Sequence, residues 1–355
     1  MGVLDRMSNE SHESVHYRYD PRSGLRAIIA IHSSVLGPAL GGARWYPYPS
    51  EDEALEDVLR LSSAMTAKAA VAGLDFGGGK GVVIGNPHEK TPAQLEAYAR
   101  FVEDLGGRYV TTTDVGTTSA EMDVLHGFTN HVVGVSPELG GGGDTSELTA
   151  FTIVEGMRAA LQVAFGSDSF EGKHVVVVGV GKVGVRVART VVERGARVTL
   201  ADVRGEAAER LAAELGGAVA SPADAYSLEC DVLSPNALGN VLNRFSIPGL
   251  RCRVICGGAN NQLGDDPGDA RLLFDRDILY APDYVVNSGG LISAAVERDG
   301  YDAARAQSIA ARVYDTTLRV LQDAARDGSS TAEAARRIVQ ERLASGTTSA
   351  PAAGG

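Results

Sequence analysis

The stretch KHVVVVGVGKVGVRVARTVVERGARVTLADV, residues 173–203, limits the possible folds more than any other part of this chain. An apolar run too short for a helix leads into a glycine turn. An amphipathic segment follows, then a second apolar run ending on Asp202. Strand, helix and strand in that order read as a right-handed βαβ unit, which requires a parallel sheet with helices packed over it. Gly179, Gly181 and Gly184 fall in G-x-G-x-x-G spacing at the first strand-to-helix turn. The spacing alone is weak evidence, but here a strand precedes it and an acidic residue closes the second strand.

In such a unit Gly179 permits the tight turn, Gly181 lets a pyrophosphate approach the helix N-terminus, and Gly184 allows the helix to pack closely. Lys182 and Val183 belong to the same turn and are counted with the cofactor-binding residues. Asp202 can accept hydrogen bonds from ribose hydroxyls and would repel a 2′-phosphate, which favours NAD over NADP. Arg204 beside it keeps a phosphate contact open. The bland alternative is a structural turn in an α/β domain that binds no nucleotide. Further strands are expected at CDVLSPN, RVICGGAN and YAPDYVVNSGG, whose polar ends would line the crevice of the sheet. Asn260, Asn261 and Asn287 are therefore candidate cofactor or substrate contacts, although any one of them could be only a turn residue.

A chain of 355 residues is too long for one such domain, so a second is expected. VHYRYDPRSGLRAIIAIH alternates polar and apolar residues on both sides of a turn and reads as a strand pair after a frayed start. In SEDEALEDVLRLSSAMTAKAAVAG, Ser50 and Glu53 mark a helix start, and Lys68 falls near the helix end. Thr91 and Pro92 open another helix. YVTTTDVG supplies a strand with Asp114 at its end. In GLDFGGGKGVVIG, Lys80 stands just before an expected strand. This last segment is not a triphosphate loop, because Gly81 follows the lysine where a magnesium-binding hydroxyl is required.

With 45 acidic and 33 basic residues the formal charge is −12, which offers no general attraction for nucleic acid or an anionic membrane. The three cysteines and seven histidines show neither a disulfide framework nor metal-ligand spacing, so no metal is expected. No G-x-S-x-G occurs. Neither a signal-peptide pattern nor an uninterrupted apolar 18-mer is present, and the expected location is cytoplasmic. Lysine and aspartate remain as the chemical candidates. If Lys68 and Lys80 surround one cavity, repulsion between them together with burial would lower a lysine pKa and make it a base. Two solvated surface lysines are the alternative.

Three segments carry a family resemblance: LGPALGGARWYPYPSEDEALEDVLRLSSAMTAKAAVAGLDFGGGKGVVIG, TTTDVGTTSAEMD and APDYVVNSGG. They resemble the leucine, valine and phenylalanine dehydrogenases of the amino-acid dehydrogenase superfamily that includes glutamate dehydrogenase, in the expected order over about residues 15–340. The resemblance implies NAD-dependent reversible oxidative deamination of an L-amino acid to its 2-oxo acid and ammonium. By the same resemblance Lys68 binds the substrate carboxylate, Lys80 activates water and Asp114 handles the amino-group proton. Gly41 and Gly42 line the reacting end, Asn287 orients substrate and cofactor, and Thr149 contacts the nicotinamide amide. Leu40, Thr113, Leu291 and Ala294 are near the side-chain pocket. None of the four is charged, which points to an apolar substrate, with branched aliphatic and phenyl groups both open. Ala43, Ala67 and Ser288 depart from the family pattern without removing a catalytic group.

The expected architecture is α/β: an N-terminal mixed α/β substrate and oligomerisation domain, a Rossmann-type NAD-binding domain, and a cleft between them. The boundaries are 1–135 for the first, 136–325 for the second, and 346–355 for a disordered tail. The helices of 325–345 are left open to pack back on the first domain. A homo-oligomer is expected. The competing functional readings are another NAD(P)-linked 2-oxo or 2-hydroxy acid dehydrogenase and a non-catalytic NADH-sensing protein.

Overall fold

A computed structural model describes residues 2–349. The chain forms two compact units, one of residues 1–143, 291–305 and 339–355, the other of residues 144–290 and 306–338. The division falls at the end of the glycine-rich stretch 140–143, and residues 291–305 belong with the first unit although they follow the nucleotide motif in sequence.

The first unit is built on a five-stranded sheet ordered β1-β2-β4-β3-β5, from β1 (Ser14–Asp20), β2 (Leu25–Ser33), β3 (Ala39–Tyr46), β4 (Gly77–Ile84) and β5 (Tyr109–Thr113). β1 and β2 form the expected antiparallel pair, and β2 also runs antiparallel to β4. β3, β4 and β5 are mutually parallel. On one face the helix Glu51–Val71 covers Ile28, Ala30 and Val82 with Ala54, Leu55, Val58 and Leu59. The other face carries a larger core of Ile29, Ala43, Trp45, Val83, Tyr98, Phe101 and Tyr109. The helix caps follow the sequence: Ser50 Oγ accepts from the Glu53 amide at 3.2 Å, and Thr91 and Gln94 form a reciprocal capping box ahead of Pro92.

The second unit is a six-stranded, all-parallel sheet ordered β11-β10-β9-β6-β7-β8. Its strands are β6 (His174–Val178), β7 (Arg197–Ala201), β8 (Ala218–Val219), β9 (Glu229–Pro235), β10 (Arg251–Ile255) and β11 (Leu279–Tyr280). Numbered within the unit this is the 3-2-1-4-5-6 order of doubly wound dinucleotide-binding folds, with the switch point between β6 and β9. The helix Ser146–Phe165 is apolar and long enough to cross a membrane, yet 61% of its most apolar window is buried within the fold, as in a core helix.

Four expectations need correction. The first residues are not frayed, since Val3–Glu10 is a helix whose start is held by Gly2 N donating to Asp5. Of YAPDYVVNSGG only Tyr280 is strand, as the end of Leu279–Tyr280. Pro282 has no amide to continue the ladder, and Asp283–Val286 turns into a short helix that ends at Asn287. The C-terminal helix Thr331–Ser349 runs past residue 346, and the rest of the expected tail lies outside the described residues. Finally, the glycine run of GLDFGGGKGVVIG is not a loop before a strand, because it is itself β4.

Candidate active site

β4 explains its glycines by space rather than by backbone conformation. A Cβ on Gly78 would come within 2.1 Å of Thr66 N in the covering helix, and one on Gly81 within 2.1 Å of Tyr98 Oη on the opposite face. Helix backbone and tyrosine rings therefore approach the strand as closely as only glycine permits. Between these two positions, Lys80 projects from the strand interior and is only 5% exposed. A buried lysine needs a counter-charge, and Asp114, immediately beyond β5, supplies it: Lys80 Nζ lies 2.5 Å from Asp114 Oδ2.

Asp114 is fixed by the turn that carries it. Its amide donates to Thr117 Oγ1 at 2.8 Å, and the Thr117 hydroxyl donates to Ala43 O on β3 at 2.8 Å. Trp45 N donates to Val115 O, and Lys90 Nζ donates to Gly116 O at 2.6 Å. Gly42 makes room, since a Cβ there would meet Asp114 Cβ at 2.8 Å. Gly41 is as constrained: its carbonyl accepts from Tyr109 Oη at 2.7 Å, and a Cβ would strike Gly79 O.

Sequence reasoning missed the second cation on Asp114. Arg44, on β3, places Nε 3.2 Å from Asp114 Oδ2 and Nη1 2.8 Å from Asp57 Oδ2. Asp57 also accepts from Tyr48 Oη at 2.6 Å and from Arg60 Nη2 at 2.8 Å. Burial pushes Lys80 down, against the pull of Asp114, and Arg44 adds to the depression. Arg44 thus supplies a repulsion on Lys80 in addition to the one expected from Lys68. Burial alone would raise Asp114, but Lys80 and Arg44 outweigh it and hold the carboxyl below its usual range. The pair combines a lysine of weakened proton affinity with an aspartate kept ionised, which suits proton transfer.

Lys68 lies half-buried in the last turn of Glu51–Val71, the helix whose Ser62 and Thr66 press on Gly78. Leu40, on β3, pairs in register with Gly78, and Thr113 ends β5 opposite Ala43. Leu291 and Ala294 are buried in the helix Gly289–Glu297.

In the second unit the glycine turn follows β6. Gly179 has a φ of 98°, and a Cβ on Gly184 would come within 1.9 Å of Gly179 O, so both positions need glycine. Gly181 caps the helix Lys182–Glu193 with open space around it. Val183 is half-buried behind it, and Lys182 is exposed, 3.9 Å from Asp144. Asp202 Oδ2 accepts from Val180 N at 2.8 Å, and Oδ1 from Arg204 N at 2.9 Å. Burial raises Asp202, but these amides and the Arg204 side chain bring it below its ordinary value. A close-packed glycine turn, an open helix N-terminus and an ionised aspartate fit a dinucleotide.

Asn236, also missed, stitches the switch point. Its amide donates to Val178 O at 2.7 Å, and its Oδ1 accepts from Gly258 N at 2.9 Å. Asn287 Nδ2 donates to Asn260 Oδ1 at 2.7 Å, which leaves Asn287 Oδ1 buried with no partner among the described residues. A buried orphan acceptor beside a binding fold marks a place for a ligand's donor. Asn261 takes a left-handed turn, with its carbonyl accepting from Asn240 N. Thr149 Oγ1 donates to Thr145 O at 2.8 Å, beside Gly290.

Comparison with known proteins agrees with this arrangement. Residues 10–131 match the Glu/Leu/Phe/Val dehydrogenase dimerisation domain, and residues 210–346 match the Glutamate/Leucine/Phenylalanine/Valine dehydrogenase domain. The chain belongs to the Glu/Leu/Phe/Val dehydrogenase family. It is 45% identical to a leucine dehydrogenase of Geobacillus stearothermophilus over 97% of this chain and 94% of that one. It is 48% identical to a valine dehydrogenase of Streptomyces virginiae over 96% of this chain and 97% of that one. The crystal structure of an L-tryptophan dehydrogenase from Nostoc punctiforme matches with a TM-score of 0.89 and 37% identity, covering 98% of this chain and all of that one. The family accounts for the two-unit organisation and for a Rossmann-like domain of the NAD(P)-binding kind.

Proposed function

We propose that this protein catalyses the NAD-dependent, reversible oxidative deamination of an apolar L-amino acid to its 2-oxo acid and ammonium. The observation that carries the reading is the buried Lys80–Asp114 pair beside parallel strands, in a chain of this family. Lys68 holds the substrate carboxylate. Asp114 takes a proton from the substrate amino group, and bound NAD supplies the hydride acceptor. Lys80, its hold on a proton weakened by burial, promotes addition of water to the resulting imine, and proton return releases ammonia. Gly41 and Gly42 keep the approach to the reacting carbon open. Leu40, Thr113, Leu291 and Ala294 face the substrate side chain, and their lack of charge favours a branched aliphatic or phenyl group. Asp202 selects NAD, Thr149, Asn260 and Asn287 contact cofactor or substrate, and the enzyme works as a cytoplasmic homo-oligomer. The leucine, valine and tryptophan named for its relatives are all apolar.

The test is NADH oxidation with and without ammonium, using 4-methyl-2-oxopentanoate, 3-methyl-2-oxobutanoate, phenylpyruvate, indole-3-pyruvate and 2-oxoglutarate. Ammonium-dependent oxidation with one of the first four is expected, and its absence from all of them refutes the assignment. Ammonium-independent oxidation would favour the 2-hydroxy acid dehydrogenase reading. Lys80→Ala should abolish turnover while sparing NADH binding.

A further inference from the structure

We propose that Arg44, held by Asp57, is a positioning residue that keeps Asp114 an anion and Lys80 a base, so that the ionic chain behind the pair sets the pH at which the site works. The inference rests on the functional reading above and extends it to residues that touch no reacting atom.

The geometry is specific. Lys80 Nζ and Arg44 Nε converge on the same oxygen, Asp114 Oδ2, at 2.5 and 3.2 Å. The two cationic nitrogens are therefore within about 6 Å of each other, a range at which like charges shift each other's proton affinity by a unit or more. A guanidinium does not titrate near neutrality, so the lysine must yield. Arg44 is kept from swinging toward solvent by Asp57, whose carboxylate is 15% exposed and is itself held by Tyr48 and Arg60. Burial raises Asp57, but Tyr48 and the two arginines outweigh it and keep the carboxyl below its usual range. The chain draws on every element around the pair. Lys80 comes from β4, Asp114 from the turn after β5, and Arg44 from β3. Tyr48 follows β3, while Asp57, Arg60 and the outer Glu53 and Glu56 come from the covering helix. On the far side of Arg44 a groove of about 570 Å³, lined by Tyr46, Tyr48, Asp57, Arg60 and Val115, opens to solvent. Arg44 lines this groove, and Lys80 does not.

Two substitutions separate an electrostatic role from a merely structural one, because they have opposite signs. Arg44→Met removes the positive charge that opposes protonation of Lys80, and Lys80 should hold its proton to a pH higher by about one unit. Asp57→Asn, nearly isosteric and with an Oδ1 that still accepts from Arg44 Nη1 and so keeps it in place, removes a negative charge that favours the proton, and Lys80 should lose it at a lower pH by a fraction of a unit. The readout is the pH dependence of trace acetylation of Lys80 by acetic anhydride in the folded protein, followed by mass spectrometry of its peptide. It requires no turnover. In parallel, the acidic limb of the pH profile for amino-acid oxidation should move up for Arg44→Met and down for Asp57→Asn.

Labelling midpoints that stay at the wild-type value, or move in the same direction in both variants, overturn the proposal. Where Arg44→Met does not fold, Asp57→Asn decides alone: a downward midpoint supports the proposal, and an unchanged or upward one refutes it. If the wild-type protein shows no ammonium-dependent turnover, the functional reading falls, while the labelling midpoints still decide the role of Arg44.

Discussion

Replacing Gly78 by alanine adds one methyl group where there is no space for it. The new Cβ would stand 2.1 Å from Thr66 N, 2.2 Å from Thr66 Oγ1 and 2.6 Å from Ser62 O, where ordinary contact begins at 3.4 Å. Two of the three obstacles are helix backbone, which cannot rotate away, so the helix Glu51–Val71 must lift off the sheet by about 1 Å. Overpacking of this kind costs about 3 kcal/mol, the upper part of the usual range. Gly127→Ala is the matched control, since that residue has φ −65° and a Cβ would meet only Val124 O at 3.3 Å. It should be neutral within about 0.5 kcal/mol. The assay is intrinsic to the chain: Trp45, the single tryptophan, is buried in the core of the first unit, and its fluorescence in urea reports that unit. At a typical slope, Gly78→Ala should lower the urea midpoint by about 1 M or more. Because Lys80 is on the same strand, turnover at low temperature should fall at least about tenfold even where the protein remains folded. A Gly78→Ala midpoint indistinguishable from that of Gly127→Ala would refute the packing account of the glycine run.

Three further outcomes are expected. Asp202→Ser should raise use of NADPH relative to NADH by about tenfold or more, because Arg204 loses the carboxylate it pairs with, and an unchanged cofactor ratio in initial rates would contradict this. His12 and His32 pack edge to face at 4.8 Å and bond to Ser62 and Thr66, with burial as the first cause holding both below their ordinary value. The unfolded chain therefore binds protons first as pH falls, so their contribution is complete above about pH 6.5 and is lost below it. The Trp45 urea midpoint should drop between pH 7.5 and 5.5, and drop less in a His12→Asn, His32→Asn double variant. Burial raises the Cys230 and Cys252 thiols to about 12, and Cys256 is buried too, so a disulfide reagent should titrate all three only after unfolding.

The legible parts of the fold were those in which local pattern and tertiary role agree. The βαβ unit could be read because a buried parallel strand is apolar throughout, its turn needs glycine, and its helix is amphipathic. β1 alternates as a half-buried strand does, the apolar run of β2 is buried on both faces, and Ser50 and Thr91 cap helices where their side chains reach back to the backbone. β3 and β4 were not legible in the same way. GGGK and ALGGARWY have poor strand propensity; a helix and two tyrosines press on the β4 glycines from opposite sides, and the β3 glycines Gly41 and Gly42 are closed in by Gly79 O and by Thr113 and Asp114. That pressure involves residues distant in sequence, so no local rule could have found it.

The candidate site divides along the same line. Lys80 and Asp114 stood out as candidates once other chemistry was eliminated and a resemblance gave them roles, and geometry then supplied what the resemblance omits, namely why a lysine can sit in the interior of a sheet. The glycines admit the helix and the rings, the helix and rings exclude water, and exclusion of water makes a lone ammonium untenable. Asp114 answers that cost, and Arg44 shifts the balance back toward the neutral amine. Asp57 and Arg60, one helical turn apart, look in sequence like an ordinary surface ion pair. Only the fold turns Asp57 inward to meet Arg44. If the glycines exist to dehydrate Lys80, then Gly78→Ala and Arg44→Met should both raise the pH at which Lys80 is half-labelled, one by letting water in and the other by removing a charge. The same midpoint in wild type and Gly78→Ala would separate the packing of β4 from the chemistry it carries.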